Sequence, residues 1–224
     1  MAFNDLLITE IFHSLQGETS LVGVPFAFIR MSGCNLRCTY CDSSYAFKGG
    51  KRYRISEVIH YIRPFQVKHV LLTGGEPLLQ RQTPTLIESL SLENYQVSIE
   101  THGEISLSKL PKNVRIIMDI KTPSSGMSRG GFQKNFQFLK PTDEVKFVIA
   151  SKEDYLWAKT LVLSSQIPTQ EILFSSAVPA LNSPGSFPGI EIHWLAEKIL
   201  QDRLPVRLQI QLHKYIWGPN RQGI

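Results

Sequence analysis

The sequence predicts an α/β protein in which a mostly parallel sheet forms an open, partial TIM-like barrel. Short apolar, β-branched segments alternate along the chain with helix-like stretches, and this alternation is typical of a parallel sheet covered by helices. The 224 residues are fewer than a complete eight-fold barrel usually takes, so we expect an incomplete barrel. Residues 1–224 contain no repeat and no long linker, which predicts a single domain.

Seven segments are predicted to be buried strands, because each is a short apolar run rich in branched side chains. They lie at residues 26–31, 69–73, 96–100, 115–119, 145–149, 171–175 and 207–212. Polar residues follow several of these segments directly. The carboxyl ends of parallel strands share one edge of a sheet, so this edge is the expected position of the functional site.

Two helices stand out between the strands. The spacing of apolar residues predicts one helix over 190–203. Another is expected to start near Ser56 as its N-cap. Its buried side consists of three apolar residues, Val58, Ile59 and Ile62. Loops rich in Gly, Ser and Pro are predicted around 122–131 and 179–189.

Charge and hydropathy exclude several classes of protein. The net charge is +5, but the basic residues are dispersed, which argues against nucleic-acid binding. No apolar run approaches the length that spans a membrane, and residues 1–15 do not resemble a secretory signal. One local group of bases is interpreted as a solvated loop face: Lys48, Lys51, Arg52 and Arg54.

The three cysteines are the strongest chemical signal. Cys34, Cys38 and Cys41 form a C-x3-C-x2-C motif, so three thiolates can hold one cluster from a single loop. A 4Fe-4S cluster usually takes four cysteines, so three leave one iron open, and S-adenosylmethionine can fill that position. An odd, clustered set of thiols predicts a reducing cytoplasm. The alternatives are unligated buried cysteines or a zinc knuckle completed by His13 or His60, which would normally need a second cysteine pair.

The cysteine spacing, with Tyr40 before the last cysteine, resembles the radical S-adenosylmethionine superfamily. A second motif, Thr73-Gly74-Gly75-Glu76-Pro77, follows a predicted strand. In that superfamily the matching Gly-Gly-Glu-Pro segment contacts the methionine moiety of the cofactor. The resemblance implies a radical SAM fold and a 4Fe-4S cluster that cleaves S-adenosylmethionine to start radical chemistry.

Further motifs resemble one family of this superfamily, the 7-carboxy-7-deazaguanine synthases. They are residues 10–18, 23–25, 28–30, 41–43, 100–101, 103 and 211–214. That family consists of carbon-nitrogen lyases that contract the ring of 6-carboxy-5,6,7,8-tetrahydropterin, with loss of ammonia, on the route to queuosine and other 7-deazapurines. The resemblance implies this reaction, a pterin substrate, an electron donor such as flavodoxin or ferredoxin, and a homodimer.

The resemblance also implies roles for individual residues. The expected substrate-binding residues are Leu15, Gln16, Gly17, Arg30 and Thr73. The expected contacts to S-adenosylmethionine are Tyr40, Cys41, Asp42, Gly75, Asp119, Ile120 and Lys121. The planar guanidinium of Arg30 suits a substrate carboxylate. Main-chain and amide groups at residues 15–17 can meet the pterin edge.

The sequence departs from the family pattern at a few positions. Ser43 stands where the family commonly has a threonine that binds Mg²⁺, and the hydroxyl is retained. The segment 119–121 replaces a frequent Ser-Pro-Lys, Thr19 replaces a glycine, and His102 stands where Asn or Ser is common. A lone histidine is more often structural than a ligand.

Two other functions are compatible with parts of the sequence. One is an activating enzyme that generates a glycyl radical in a partner protein, and the motifs at 15–18 and 211–214 argue against it. The other is a non-catalytic, metal-dependent RNA-binding module. The sequence lacks the interleaved aromatic and basic stripes that such a module would need.

Overall fold

The computed structural model describes residues 5–164, 167–177, 189–218 and 221–223. The strands are β1 Leu6–Leu15, β2 Pro25–Met31, β3 Lys51–Tyr53, β4 His69–Gly74, β5 Gln96–Thr101, β6 Arg115–Ile120, β7 Glu144–Ile149, β8 Glu171–Ser176 and β9 Arg207–Gln209. The helices are α1 Ile55–Ile62, α2 Thr83–Leu92, α3 Lys152–Ser164, α4 Ile192–Gln201 and α5 Leu212–Trp217. None of these helices is long and apolar enough to cross a membrane.

The strands form one open sheet in the order β3-β1-β2-β4-β5-β6-β7-β8-β9. Each neighbouring pair from β2 to β9 is parallel. Strand β1 runs antiparallel to both of its neighbours. The carboxyl ends of seven parallel strands therefore meet at one edge, which confirms the predicted α/β class and the open barrel.

All seven predicted strands are present, but β1 and β3 were not predicted. Strand β1 has a break in its register between Ile8 and Glu10, so its apolar residues do not alternate regularly. Strand β3 has only three residues, two of them basic. The strand predicted at 207–212 is too long. The chain turns after Gln209, and at the start of α5 the Leu212 N–H donates to the Gly17 carbonyl at 2.9 Å.

The predicted helices are present with shifted ends. The helix expected over 190–203 is α4, two residues shorter at each end. Ser56 is not the N-cap of α1. That position is Arg54, whose N–H donates to the Glu57 carboxylate at 2.7 Å. Residues 123–125 of the loop expected at 122–131 form a short 3₁₀ turn, and all but the last residue of the loop expected at 179–189 lies outside the described residues.

The sheet separates two apolar clusters. The larger one packs helices against the sheet and includes Val58, Leu86, Ala158 and Leu195 from four different helices. The smaller one contains Phe12, Phe26, Phe28, Leu71 and Ile117. The rings of Phe12 and Phe28 are stacked with centroids 4.9 Å apart. Both rings also face the candidate site, so this cluster forms its apolar wall.

Candidate active site

A large pocket opens at the carboxyl edge of the parallel strands. Its lining comes from the ends of β1, β2, β4, β5, β6 and β7, from the cysteine loop, and from α5. The lining contains almost every residue predicted for the site: Leu15, Gln16, Gly17, Arg30, Cys34, Cys38, Tyr40, Cys41, Asp42, Ser43, Thr73, Gly75, Asp119 and Lys121. Ile120 is the exception. Its side chain is buried in the larger core, so only its main chain can reach a ligand.

The three cysteines line this pocket from the loop that follows β2. All are half-buried free thiols. The Leu36 N–H donates to the Cys34 sulfur at 3.4 Å, and the Cys41 N–H donates to the Cys38 carbonyl at 3.2 Å. No described group of three or more His, Cys, Asp or Glu side chains is arranged to hold a single metal ion. An iron-sulfur cluster binds each thiolate to a different iron, and three soft thiolates fit that group.

The surroundings of Cys38 and Cys41 favour the protonated form of these two thiols. Burial raises the pKa of the Cys38 thiol to about 11, although the Lys121 ammonium opposes this. Burial also raises the pKa of Cys41, against a hydrogen bond from Ser43. Metal ligation requires thiolates. Cluster binding at this loop must therefore release protons from Cys38 and Cys41.

Two glycines at the end of β4, Gly74 and Gly75, pack against the end of β2 and the start of the cysteine loop. A Cβ on Gly74, which has φ = +117°, would lie 2.4 Å from the Met31 carbonyl oxygen. A Cβ on Gly75 would lie 2.0 Å from the Gly33 carbonyl oxygen. The Glu76 N–H donates to that same Gly33 oxygen at 2.7 Å. Both glycines are therefore needed for the close contact between the two predicted cofactor-binding segments.

A buried hydrogen-bond network joins the same two segments. The carboxylate of Glu76 accepts from the Leu78 N–H, the Thr101 hydroxyl and the His102 N–H at 2.8–3.0 Å. The Nδ1 atom of His102 accepts from the Glu104 N–H, so Nε2 carries the proton. That Nε2–H faces Asn35 Oδ1 at 2.9 Å and Glu76 Oε2 at 3.2 Å. His102 is thus a neutral, structural histidine that connects the cysteine loop to the Gly-Gly-Glu turn.

A buried lysine that was not predicted from the sequence lines the pocket. Lys146 on β7 is 3% exposed and contacts three carboxylates. Its Nζ lies 2.6 Å from Glu18 Oε2 and 3.3 Å from Asp119 Oδ2, and it also hydrogen-bonds Glu100. Thr73 donates to the other oxygen of Glu100 at 2.9 Å. The sequence signal for this site is a lysine within the mostly apolar strand EVKFVI. An unpaired lysine is almost never fully buried, so a lysine in a buried strand indicates that it has carboxylate partners.

Asp119 has one buried oxygen without a hydrogen-bond partner among the described residues. Its Oδ2 lies 3.0 Å from Lys121 Nζ, whereas its buried Oδ1 has no hydrogen-bond partner among the described residues. Burial raises the pKa of this carboxyl, but Lys121 and Lys146 outweigh that effect and hold it below its ordinary value. Oδ1 is therefore an unsatisfied acceptor of an ionised carboxylate that is buried beside the pocket.

Arg30 projects from β2 with part of its guanidinium free. Its Nε donates to Glu10 Oε1 at 2.6 Å, and Tyr45 donates to the same oxygen at 2.8 Å. The guanidinium carbon lies 5.8 Å from the centre of the Phe12 ring and 5.7 Å from that of Tyr45. Neither Nη atom donates a hydrogen bond to a described residue. Glu10 therefore fixes the guanidinium and leaves its two-nitrogen end available for a carboxylate.

Two parts of the chain that are distant in sequence meet at the pocket. His213 on α5 packs against Gly17, where a Cβ would lie 2.1 Å from His213 Nδ1. Gln211 donates to Glu18 Oε1 at 2.8 Å. Both main-chain groups of Gln16 are used in the turn between β1 and β2. Its side-chain NH₂ forms no hydrogen bond with described residues, so this amide is the donor that remains for a ligand.

The two residues after Cys41 have different side-chain contacts. Asp42 forms an ion pair with Lys214 at 2.8 Å, which ties the cysteine loop to α5. The Ser43 hydroxyl lies 3.9 Å from the Cys41 sulfur and lines the pocket. Asp42 is therefore already neutralised by Lys214. Of these two side chains, Ser43 has the oxygen that is not engaged in an ion pair.

Comparisons with known proteins agree with this geometry. The Radical SAM superfamily profile matches residues 28–144, more than half of the chain. A 7-carboxy-7-deazaguanine synthase from Chlorobaculum tepidum is 41% identical, over 98% of this chain and 97% of its own length. One from Koribacter versatilis is 39% identical, over 97% and 99%. The crystal structure of QueE from Escherichia coli superposes with a TM-score of 0.72 at 20% identity, covering 93% of this chain and 95% of that one.

The similarity to the curated relatives extends over nearly the whole chain, and the fold is shared with a solved member. The chain therefore belongs to the radical SAM superfamily and, within it, to the 7-carboxy-7-deazaguanine synthase family.

Proposed function

We propose that the protein converts 6-carboxy-5,6,7,8-tetrahydropterin to 7-carboxy-7-deazaguanine with release of ammonia. The observation that carries this proposal is one pocket that combines the cysteine loop, the Gly-Gly turn and the free end of Arg30. The full-length similarity to curated synthases supports the same reaction. It also argues against a glycyl-radical activating enzyme and against an RNA-binding module.

The cysteine loop is proposed to hold the 4Fe-4S cluster through Cys34, Cys38 and Cys41. When bound and reduced, the cluster would supply the electron for reductive cleavage of S-adenosylmethionine, which would be the source of the radical that removes hydrogen from the substrate. The chain's part is to hold the cofactor still. We assign this role to Gly75, the carboxylate of Asp119, the ammonium of Lys121 and the main chain of Ile120, together with Tyr40, Cys41 and Asp42 of the cysteine loop.

The substrate is proposed to bind beside the cofactor with its carboxylate on Arg30. The Thr73 hydroxyl, held by Glu100, and the free amide of Gln16 would orient the pterin, with Leu15 and Gly17 completing that side. The stacked Phe12 and Phe28 rings form an apolar wall that excludes water. Such fixed geometry favours one site of hydrogen abstraction over others.

Replacing Arg30 by lysine is expected to lower kcat/KM for the pterin by roughly 10- to 150-fold, with little change in S-adenosylmethionine affinity. A lysine can still pair with Glu10, but it cannot present two parallel N–H groups to a carboxylate. Hydrogen bonds to charged groups contribute about 1.5–3 kcal/mol, which gives this range. The control is Arg63→Lys, measured by the same steady-state kinetics. Arg63 forms an exposed ion pair with Glu93 and does not line the pocket. An unchanged kcat/KM would place the substrate carboxylate elsewhere.

Mg²⁺ is proposed to bind Ser43 together with substrate oxygens and water. The chain offers one neutral oxygen here, so the site depends on the substrate for its other hard ligands. We expect Ser43→Ala to abolish the stimulation of product formation by added Mg²⁺, measured as rate against Mg²⁺ concentration. Ser44→Ala, exposed and outside the pocket lining, should respond as the unaltered protein does. Equal Mg²⁺ dependence in both variants would remove Ser43 from the metal site.

The remaining proposals concern the working form of the protein. We infer that it acts as a single domain, because one continuous sheet carries every part of the site. Its clustered free thiols favour a cytoplasmic location. A homodimer and an electron donor such as flavodoxin or ferredoxin are proposed from the family.

One assay tests the proposed reaction. The reconstituted protein is reduced with dithionite and incubated without oxygen with S-adenosylmethionine and 6-carboxy-5,6,7,8-tetrahydropterin. The expected product is 7-carboxy-7-deazaguanine, identified by mass and absorbance, with one ammonia per product. Consumption of S-adenosylmethionine without any deazaguanine product would overturn the proposal and leave the superfamily assignment intact.

A further inference from the structure

We propose that exposed basic residues beside the cysteine loop form the docking face for an acidic one-electron carrier protein. The face, here called the basic face, consists of Arg37, Lys48, Lys51 and Arg52. The inference rests on the proposed function, because the cluster must receive electrons before the reaction can begin. Beyond the proposed function, it specifies the surface to which the carrier binds and the charge complementarity by which that surface recognises the carrier.

The basic face lies at the same edge of the sheet as the cysteine loop. Ile8 pairs with both Lys51 on β3 and Met31 at the carboxyl end of β2, so Lys51 is level with the strand that leads into the cysteines. The Gly33 N–H donates to the Ala46 carbonyl at 2.8 Å. A Cβ on Gly50 would lie 2.1 Å from the Ser32 hydroxyl oxygen. The segment carrying the lysines therefore packs along the residues that precede Cys34.

Arg37 joins the basic face to the cluster ligands directly. Its Nη1 donates to the Cys34 carbonyl at 2.8 Å and to the Leu36 carbonyl at 2.6 Å. Its guanidinium carbon lies 4.3 Å from the centre of the Phe47 ring, next in sequence to Lys48. A positive charge is thus fixed on the loop that holds the cysteines, while the side chain remains exposed.

The charges of the basic face are not neutralised by neighbours. Arg37, Lys48, Lys51 and Arg52 are all exposed, and none forms a salt bridge with another described residue. Arg54 is excluded from the face because it pairs with Glu57 on α1. Basic residues on an edge strand also prevent sheet-to-sheet association. That explanation covers Lys51 and Arg52 on β3 but not Arg37 and Lys48, which lie outside the strand.

Charge is the form of recognition that suits electron delivery. The interfaces between electron-transfer partners are small and the complexes are short-lived. Long-range electrostatic attraction can therefore guide the carrier, and no large apolar contact is required. An acidic carrier would be drawn to the side of the protein where the cluster ligands lie. Steering of this kind raises association rates by about 10- to 1000-fold and weakens with salt.

The test compares two triple variants of the reconstituted holoenzyme. Lys48→Glu/Lys51→Glu/Arg52→Glu reverses the basic face. Lys68→Glu/Lys109→Glu/Lys112→Glu makes the same change in net charge next to the amino ends of β4 and β6, at the opposite edge of the sheet. Stopped-flow absorbance measures the second-order rate of cluster reduction by reduced flavodoxin, a strongly acidic carrier. Product formation with dithionite is measured in parallel and reports on the proposed function alone.

Reversal of the basic face is expected to slow reduction by flavodoxin at least tenfold at low ionic strength, with a smaller difference in high salt. Iron content and the dithionite-driven rate should be unchanged. Equal slowing in both variants, or none in either, would overturn the proposal. If the reversed protein loses iron, the Gln variants at the same three positions replace it, and an unchanged rate would again overturn the proposal. Binding of tRNA that only the basic-face reversal abolishes, with normal reduction, would also overturn it.

Discussion

Replacing any one of Cys34, Cys38 or Cys41 by alanine is expected to leave a folded protein with no detectable synthase activity. The three cysteines are the only thiols in the sequence, so no other thiolate can replace a lost ligand. All three are half-buried, and removing one sulfur is expected to change the free energy of unfolding by no more than about 1 kcal/mol. Iron content and visible absorbance after anaerobic reconstitution measure cluster binding, and circular dichroism measures the fold.

The control is Ser44→Ala, which changes an exposed residue of the same loop and should retain both iron and activity. Full iron content together with normal product formation in any cysteine variant would contradict the assignment of the cluster. An unfolded variant would instead show that the thiol contributes to packing. The variants at the other two cysteines would then test the cluster assignment, because each of the three thiolates is predicted to be essential.

The sequence predicts those strands whose apolar pattern is determined by burial within the sheet. The parallel strands β4 and β6 are buried along most of their length and carry the continuous apolar runs VLL and IIM. Strand β1 mixes apolar and polar residues along its length, and its register shift interrupts the alternation between the two faces. Strand β3 is fixed by its pairing with β1 and not by its own side chains. Long-range pairing of this kind leaves no local signal.

The site shows the same division between local and long-range information. The cysteine loop and the Gly-Gly turn are contiguous motifs, so their chemistry can be predicted before the fold is known. The contact of His213 with Gly17 joins residues almost 200 positions apart. The bridge from His102 to Asn35 likewise depends on the packing of β5 against the cysteine loop. The sequence indicates that these residues are unusual, but not which partners they have.

Lys146 has the largest structural consequence among the residues that sequence reasoning missed. It is the shared partner of Glu18, Glu100 and Asp119, and Lys121 contacts only the last of these. Burial alone would raise the pKa of Glu18, but Lys146 and His213 lower it to about 2 from an ordinary value of 4.5. The stabilisation from ionised Glu18 is therefore present above pH 4.5 and is lost as the pH falls toward 2.

Replacing Lys146 by methionine is expected to destabilise the protein by about 3–5 kcal/mol at pH 7, because it leaves buried carboxylates without their cation. For a chain of this size, that corresponds to a fall in Tm of roughly 6–20 °C. Product formation should fall as well, since Glu100 would no longer be held in position to orient Thr73. Thermal unfolding of the two proteins over a range of pH measures the first effect. Lys159→Met, which removes a more exposed ion pair with Asp202, is the matched control and should cost less than about 1 kcal/mol.

The pH dependence and a second substitution distinguish lost charge compensation from lost packing. Without Lys146 the pKa of Glu18 should rise above 4.5, so the variant gains stability relative to the unaltered protein as the pH falls through that value. Lys146→Met combined with Glu18→Gln removes one of the uncompensated charges, and we expect it to be more stable at pH 7 than Lys146→Met alone. A loss of stability that is equal at pH 7 and pH 4, and that Glu18→Gln does not reduce, would show that Lys146 acts through packing and not through its charge.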